Sequence, residues 1–172
     1  VKIINCGKGI DIGTRHITIS TCGIIPGIKK FMNEEGQVNL AISLHAPNDE
    51  IRNKIMPINK AYPISELMKA LKEYYSKTNR RITIEYVMLD SINDSDECAL
   101  ELSKLLKGLN CYVNLIPYNE TQNISFKRTK MIQISRFYDI LKKNNVNVTI
   151  RKEFGSKISA ACGQLRSKKE EL

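Results

Sequence analysis

No two of the five cysteines stand close enough in sequence to form a zinc or iron–sulfur motif: they are Cys6, Cys22, Cys98, Cys111 and Cys162. Their odd number argues against a disulfide framework, which leaves a reducing cytoplasm as the expected location. The chain also lacks an apolar run long enough to span a bilayer, any signal-peptide pattern and any internal repeat, so neither a membrane protein nor a secreted one is expected. Acidic residues are outnumbered: 18 Asp and Glu stand against 27 Lys and Arg, a net charge of +9. That excess favours a polyanionic partner such as RNA. The positive charge is spread through helices, however, with local groups at Lys127-Arg128-Lys130, Arg151-Lys152 and Arg166-Lys168-Lys169. A solvated surface explains most of these lysines, and charge alone does not decide the partner.

What is present is a globular chain of 172 residues with 42% hydrophobic residues and a mean hydropathy of −0.29. This length holds one real core but falls short of a complete barrel. The sequence starts at Val1 and enters loop-like residues 5–13 almost at once, so a piece of a longer chain is expected.

The stretch VNLAISLHAPNDEIRNKIMPIN, residues 38–59, organises the rest. Residues 38–44 are mostly apolar on both parities, as in a strand buried on two faces of a parallel sheet. His45-Ala46-Pro47-Asn48 then breaks the pattern, and Pro47 excludes Ala46 from helical space. Asn48 can cap a short helix whose Ile51 and Ile55 lie four apart on one face. Ser43, His45 and Asn48 therefore cluster where a strand ends and a helix begins, the usual place for ligands in α/β folds. Taken alone, the same residues also read as a helix cap beside a satisfied histidine.

Along the chain, residues 15–20 (RHITIS) alternate and are β-branched, giving a strand that ends at Ser20-Thr21-Cys22-Gly23. A short helix follows over 28–33. After Pro63, Ile64, Leu67, Met68, Leu71, Tyr74 and Tyr75 form a helical stripe. Residues 81–89 make a third strand and open into the polar loop Asp90-Ser91-Ile92-Asn93. Asp94 and Glu97 form a capping-box-like pair for a helix whose buried side holds Cys98, Leu102, Leu105 and Leu106, and Gly108 ends it. Residues 111–116 are a fourth strand, stopped by Pro117-Tyr118-Asn119. A helix over 130–143 and a strand over 146–151 complete the alternation. Cys98 and Cys111 read as packing residues. The class is α/β with a mainly parallel sheet and flanking helices. Ser20, Ser43 with His45, Asp90 and Asn119 gather at the same end of successive strands, as on the active face of a barrel.

Five strings, RHITISTCGIIPGI, LAISLHAPNDEIRNKIMPIN, ITIEYVMLD, VNLIPYN and AACGQLR, resemble in order and spacing the radical S-adenosylmethionine (SAM) methyltransferases that modify adenine C2 in 23S rRNA and tRNA. The resemblance covers nearly the whole chain. It implies a portion of a partial (β/α)6 TIM-type barrel over residues 1–151, and a C-terminal segment over 152–172 ending in a charged tail. It implies SAM contacts from Ser20, from Ser43, Leu44 and His45, and from Asn119. It also implies that Cys162 carries the transferred methyl group. Short neutral donors and acceptors at strand ends suit the ribose hydroxyls, amino group, carboxylate and adenine edges of such a ligand. The family's 4Fe–4S cluster motif CxxxCxxC, its GEP turn and its resolving cysteine are absent here. The cluster therefore belongs to the full-length enzyme, with no ligands in this chain, and the chain alone is expected to be inactive. A monomer is expected at full length. Two other readings stand beside this one: the C8-methylating relative that confers antibiotic resistance, and a non-catalytic RNA-binding fragment.

Overall fold

A computed structural model describes residues 1, 3–7, 9–34, 36–120 and 125–151. Within them, strand β1 (Thr18–Thr21) leads to helix α1 (Ile25–Phe31), β2 (Asn39–Ser43) to α2 (Asp49–Ile55) and a 3-10 turn (Pro57–Lys60), then α3 (Ile64–Thr78). Next come β3 (Ile82–Met88), α4 (Asp96–Leu105), β4 (Cys111–Pro117), α5 (Met131–Lys143) and β5 (Val148–Ile150). The five strands form one sheet in the order β1-β2-β3-β4-β5, and every pair is parallel. Neighbours in sequence are neighbours in space, each strand is joined to the next through a helical connection, and α1, α3, α4 and α5 pack into one core against the sheet. This is the winding of a barrel wall.

Register separates the two faces of the sheet. Leu40 pairs with Ile82, Ile82 with Cys111, and Val113 with Val148. These residues join one hydrophobic cluster with Ile28, Leu67, Leu71, Leu102, Phe137 and Leu141 from the helices. Each fully buried Leu or Ile of this set contributes roughly 2 kcal/mol. The aromatic pairs Phe31–Tyr74, with ring centroids 6.1 Å apart, and Tyr86–Phe137, at 5.3 Å, bind helices to helices and helices to sheet. The opposite face presents Ser20, Ser43, Thr83, Glu85, Asn114 and Thr149, none of which is fully buried. A polar inner face behind an apolar outer one suits a barrel lumen that receives a ligand.

Most sequence expectations hold here. The Val38 strand, the Asn48 cap, the stripe of α3 and the buried thiols Cys98 and Cys111 all appear. Burial raises the thiol of Cys98 and pushes that of Cys111 up to about 11. Two elements have other bounds than expected: the helix over 28–33 is Ile25–Phe31, and the strand over 146–151 is Val148–Ile150. Two further expectations need correction. The first strand is shorter than 15–20, because Thr14–His16 form a 3-10 turn. Here Asn39 donates its side-chain amide to the Arg15 carbonyl at 2.7 Å, and the Gln37 N–H is taken by the Thr14 hydroxyl. The cap of α4 is Ser95, whose hydroxyl accepts from the Cys98 N–H at 3.2 Å. Asp94 instead accepts from Ser91 N–H and from the Thr129 hydroxyl. Cys162 and the whole segment 152–172 lie outside the described residues.

Candidate functional site

The C-terminal ends of the parallel strands make one rim, and the ends of three of them, β1, β2 and β4, hold the residues that the resemblance assigns to SAM. Ser20 lies in β1, Ser43 ends β2 with Leu44 and His45 following, and Asn119 stands two residues beyond β4. Ser20 pairs with Ala41, so it shares the inner face with Ser43, and Ser43 pairs with Glu85, which pairs with Asn114. From β1 to β4 the rim spans three interstrand steps, about 14 Å. Ser20 and Asn119 are exposed, while Ser43 and His45 are partly covered. Leu44 differs from its neighbours. Its side chain is fully buried in the core, its N–H donates to Glu85 O, and its carbonyl accepts from Arg52.

The turn after β1 depends on Gly23. The Thr21 hydroxyl accepts from the Gly23 and Ile24 N–H groups, and Gly23 sits at φ +101. A Cβ there would lie 3.1 Å from Leu67 Cδ2 and 3.3 Å from Arg52 Nη2. Gly23→Ala therefore combines left-handed strain with an overlap against a buried helix, and it is expected to cost about 2 kcal/mol. Chemical denaturation checks this; a variant as stable as the wild type would mean the turn relaxes freely.

His45 is held from three sides. Its backbone N–H donates to Glu85 O at 3.3 Å, and its carbonyl accepts from Asn93 Nδ2 at 2.8 Å. Its ring Nδ1 accepts from the Val87 N–H at 3.1 Å. This fixes the tautomer: the proton sits on Nε2, which remains the ring's donor. The backbone at φ +59 is left-handed, a conformation that histidine tolerates better than branched residues do. Burial, followed by the positive charge of Arg52, lowers the ring pKa from 6.5 to about 4. At neutral pH the imidazole is uncharged. Beside it lies a cavity of about 200 Å³ lined by Ile55, Met56, Val87, Leu89, Tyr118 and Phe126. Tyr118 and Phe126 meet edge to face with centroids 6.4 Å apart.

The His45 shift makes a pH prediction. As pH falls, the unfolded state takes up this proton near 6.5, well before the folded state does at about 4. Stability is therefore full above the upper value and is lost progressively between the two, by on the order of 3 kcal/mol at most. His45→Asn keeps a residue that accepts positive φ and removes the titration. Urea unfolding across this range is expected to show a shallower pH dependence in the variant; equal slopes would refute the assignment.

Sequence reasoning missed the residues beneath the rim. Arg52 is fully buried, and its guanidinium meets five oxygens. Nε donates to Leu44 O at 3.1 Å, Nη1 to Asn59 Oδ1 at 2.7 Å and Tyr62 O at 3.5 Å, and Nη2 to Cys22 O at 2.7 Å and Ser43 O at 3.4 Å. Asn59 passes on to Asp49 at 2.8 Å, which also accepts from the Ile64 N–H. Asn93, equally buried, accepts from Leu89 N–H and donates to both His45 O and Val87 O. Glu85 is the remaining feature. Its Oε1 accepts from Asn114 at 3.5 Å, while its buried Oε2 has no partner among the described residues. Also among these residues, no group of three or more His, Cys, Asp or Glu is placed to hold a metal ion, and no helix is long and apolar enough to cross a membrane.

Known proteins resemble this chain closely. It is 56% identical over 99% of its length to a protein of Spiroplasma citri named "Probable dual-specificity RNA methyltransferase RlmN", covering 49% of that protein. Proteins of the same name from Malacoplasma penetrans and Geobacillus thermodenitrificans are 55% and 54% identical over 98% of the chain, which covers 47% and 46% of them. The chain thus spans about half the length of these relatives. Among solved structures, a radical SAM methyltransferase from Sphaerobacter thermophilus superposes with a TM-score of 0.92 at 47% identity, over 95% of this chain and 48% of the other. A domain of pyruvate-formate lyase-activating enzyme from Bacteroides vulgatus shares the fold alone, with a TM-score of 0.61 at 13% identity over 78% of this chain and 80% of that one. No family model matches.

Proposed function

The chain belongs to the RlmN family of radical SAM methyltransferases, and we propose that it forms the half of such an enzyme that holds SAM and carries the methyl group to C2 of an adenine in 23S rRNA and tRNA. The observation that carries this reading is the strand-end rim, where Ser20, Ser43, His45 and Asn119 stand above a polar inner face. Their chemistry fits the ligand. The neutral His45 offers an Nε2 donor beside an apolar cavity bordered by two aromatic rings, which suits a heterocycle edge. The orphaned Glu85 Oε2 marks an inner face whose polar needs the described residues leave unmet, next to Ser43 in register. An adenosyl group with an amino-acid arm can bridge the rim from Ser20 to Asn119. Leu44 contributes through its position alone, since its side chain is sealed in the core.

When bound, SAM supplies the methyl group and a source of 5′-deoxyadenosyl radical. That chemistry suits adenine C2, which has no lone pair to offer a methyl cation. Cys162 is assigned as the residue that holds the methyl carbon as a thioether, and segment 152–172 as its carrier. This rests on the AACGQLR match. Arg151, Lys152 and Lys157, close to it in sequence, favour a thiolate if they approach it. The 4Fe–4S cluster does not fit this chain, whose cysteines supply no close set of three thiolates. Reconstituting the chain alone with iron and sulfide is expected to give no stoichiometric cluster by absorption or EPR; a reducible one would overturn that half of the reading. The working location is a reducing cytoplasm, and at full length the enzyme is taken to act as a monomer.

The test is a joined enzyme, in which this chain replaces the matching half of the Spiroplasma citri relative. Expressed in a host lacking the activity, it is expected to produce 2-methyladenosine in 23S rRNA and tRNA, detected by mass spectrometry of nucleosides. 8-Methyladenosine would assign the C8 activity instead. RNA binding without methylation, in an enzyme with its cluster loaded, would leave only a binding module.

A further inference from the structure

Arg52 is an unusual residue to find sealed beneath a binding rim. It is a permanent cation with no exposed surface, and its hydrogen-bond partners among the described residues include no carboxylate. Carbonyl oxygens solvate it instead. Three of them, on Cys22, Ser43 and Leu44, lie where β1 and β2 end, where the ladder no longer supplies partners. Two more come from the strap after α2, at Asn59 and Tyr62. Five N–H groups thus meet five oxygens, and the planar fork fixes their mutual angles. Asp49, one residue removed through Asn59, balances the charge without contacting it.

The consequence is geometric. The turn holding Ser20 through Gly23 and the turn holding Ser43 through His45 belong to adjacent strands that are paired only as far as Thr21 and Ile42. Beyond that level among the described residues, Nη2 spans them, bonding Cys22 O on one side and Ser43 O on the other. Gly23 permits this approach, because a side chain there would press on Nη2. The same guanidinium charge also disfavours protonation of His45, so Nδ1 keeps the lone pair that accepts from the Val87 N–H.

We propose that Arg52 is a positioning residue for the SAM site: by joining Cys22 O to Ser43 O and Leu44 O it sets the separation of the two strand-end turns, and through them the affinity for SAM, without touching the ligand. The proposal rests on the reading of the rim given above. A lysine keeps the charge but has one nitrogen and cannot bond both turns and Asn59 at the required angles.

The experiment uses the joined enzyme with its cluster loaded and unreduced. Kd for SAM is measured by equilibrium dialysis and Kd for RNA by filter binding, at temperatures where circular dichroism shows each variant fully folded. Arg52→Lys is expected to weaken SAM binding about tenfold, as loss of an outer supporting partner does elsewhere, with RNA affinity unchanged. If Arg52→Lys does not fold, Asn59→Ala, which frees one edge of the guanidinium and keeps the cation, is expected to weaken SAM binding about threefold with RNA affinity unchanged. Ser43→Ala and His45→Ala are measured alongside. SAM affinity lost in these two but kept in the Arg52 or Asn59 variant would overturn the positioning role alone. SAM affinity unaffected in all of them would overturn the site reading and the proposal with it. Equal losses for SAM and RNA would reduce Arg52 to a general structural residue and also overturn the proposal.

Discussion

Cys162→Ala in the joined enzyme is expected to abolish adenine methylation while leaving the fold and SAM affinity within experimental error of wild type. Cys98 and Cys111 are each only 6% exposed, and burial raises both thiols away from reactivity. Such residues serve packing. The sequence around Cys162, with Gly155, Ser156, Ser159, Ala160, Ala161 and Gly163, offers no apolar stripe to bury a sulfur. A carrier of a one-carbon unit must meet the donor and then the base. The expected loss is at least about a thousandfold in rate, because a residue bonded to the transferred carbon has no substitute in alanine. Peptide mass spectrometry of the wild type is expected to find a methyl group on Cys162. Full activity in Cys162→Ala would overturn the mechanism, and a variant that fails to fold would return Cys162 to the structural thiols.

Asn93→Leu is expected to be the most damaging single change to the architecture under the rim. The Asn93 side chain caps the end of β3 by accepting from Leu89 N–H at 2.8 Å and donating to Val87 O at 2.7 Å, and it holds the His45 carbonyl at 2.8 Å. Its own carbonyl accepts from the buried Tyr86 hydroxyl. Leucine has a similar volume but leaves one N–H and two carbonyls without these partners, an expected loss of about 3–5 kcal/mol. His45 loses its anchor as well, so SAM affinity falls beyond what stability explains. Chemical denaturation and SAM binding test the two parts separately. A change below about 1 kcal/mol would show that water replaces the amide without cost.

These two residues also mark how far the sequence could be read. Local rules carried the elements well. The strand expected from Val38 is present as β2, but only one of its faces is apolar: Leu40 and Ile42 pack against the helices, while Asn39, Ala41 and Ser43 share the inner face. Asn48 caps α2 by accepting from Ile51 N–H at 3.0 Å, as its position before a helical pattern implies. The rim itself was legible, because parallel strands place all their C-terminal ends together. The supports of the rim were not. Arg52 sits between Ile51 and Ile55 on a short helix, where a charged residue ordinarily reads as solvated, and its partners lie up to 30 residues away. Asn93 reaches His45 across 48 positions, and Asp94 reaches Thr129 across 35. Asp94 looked like the start of a capping box because an acid three residues before Glu97 has that spacing, yet Ser95 makes the cap and frees Asp94 for tertiary bonds. The cost of burying an amide or a cation is met by long-range partners, and no local periodicity encodes them. The role given to Cys162 rests on the AACGQLR string alone, and the residue lies outside the described residues.

Binding of SAM at the rim is most directly read by amide chemical shifts of this chain, isotopically labelled and titrated with SAM. The expected perturbations concentrate at Ser20, Ser43, His45 and Asn119, with Glu85 and Asn114 on the inner face moving and Lys104, Gly108 and Asn145 at the opposite ends of the strands unmoved. Saturable shifts confined to the latter group, or spread evenly over the surface, would contradict the account.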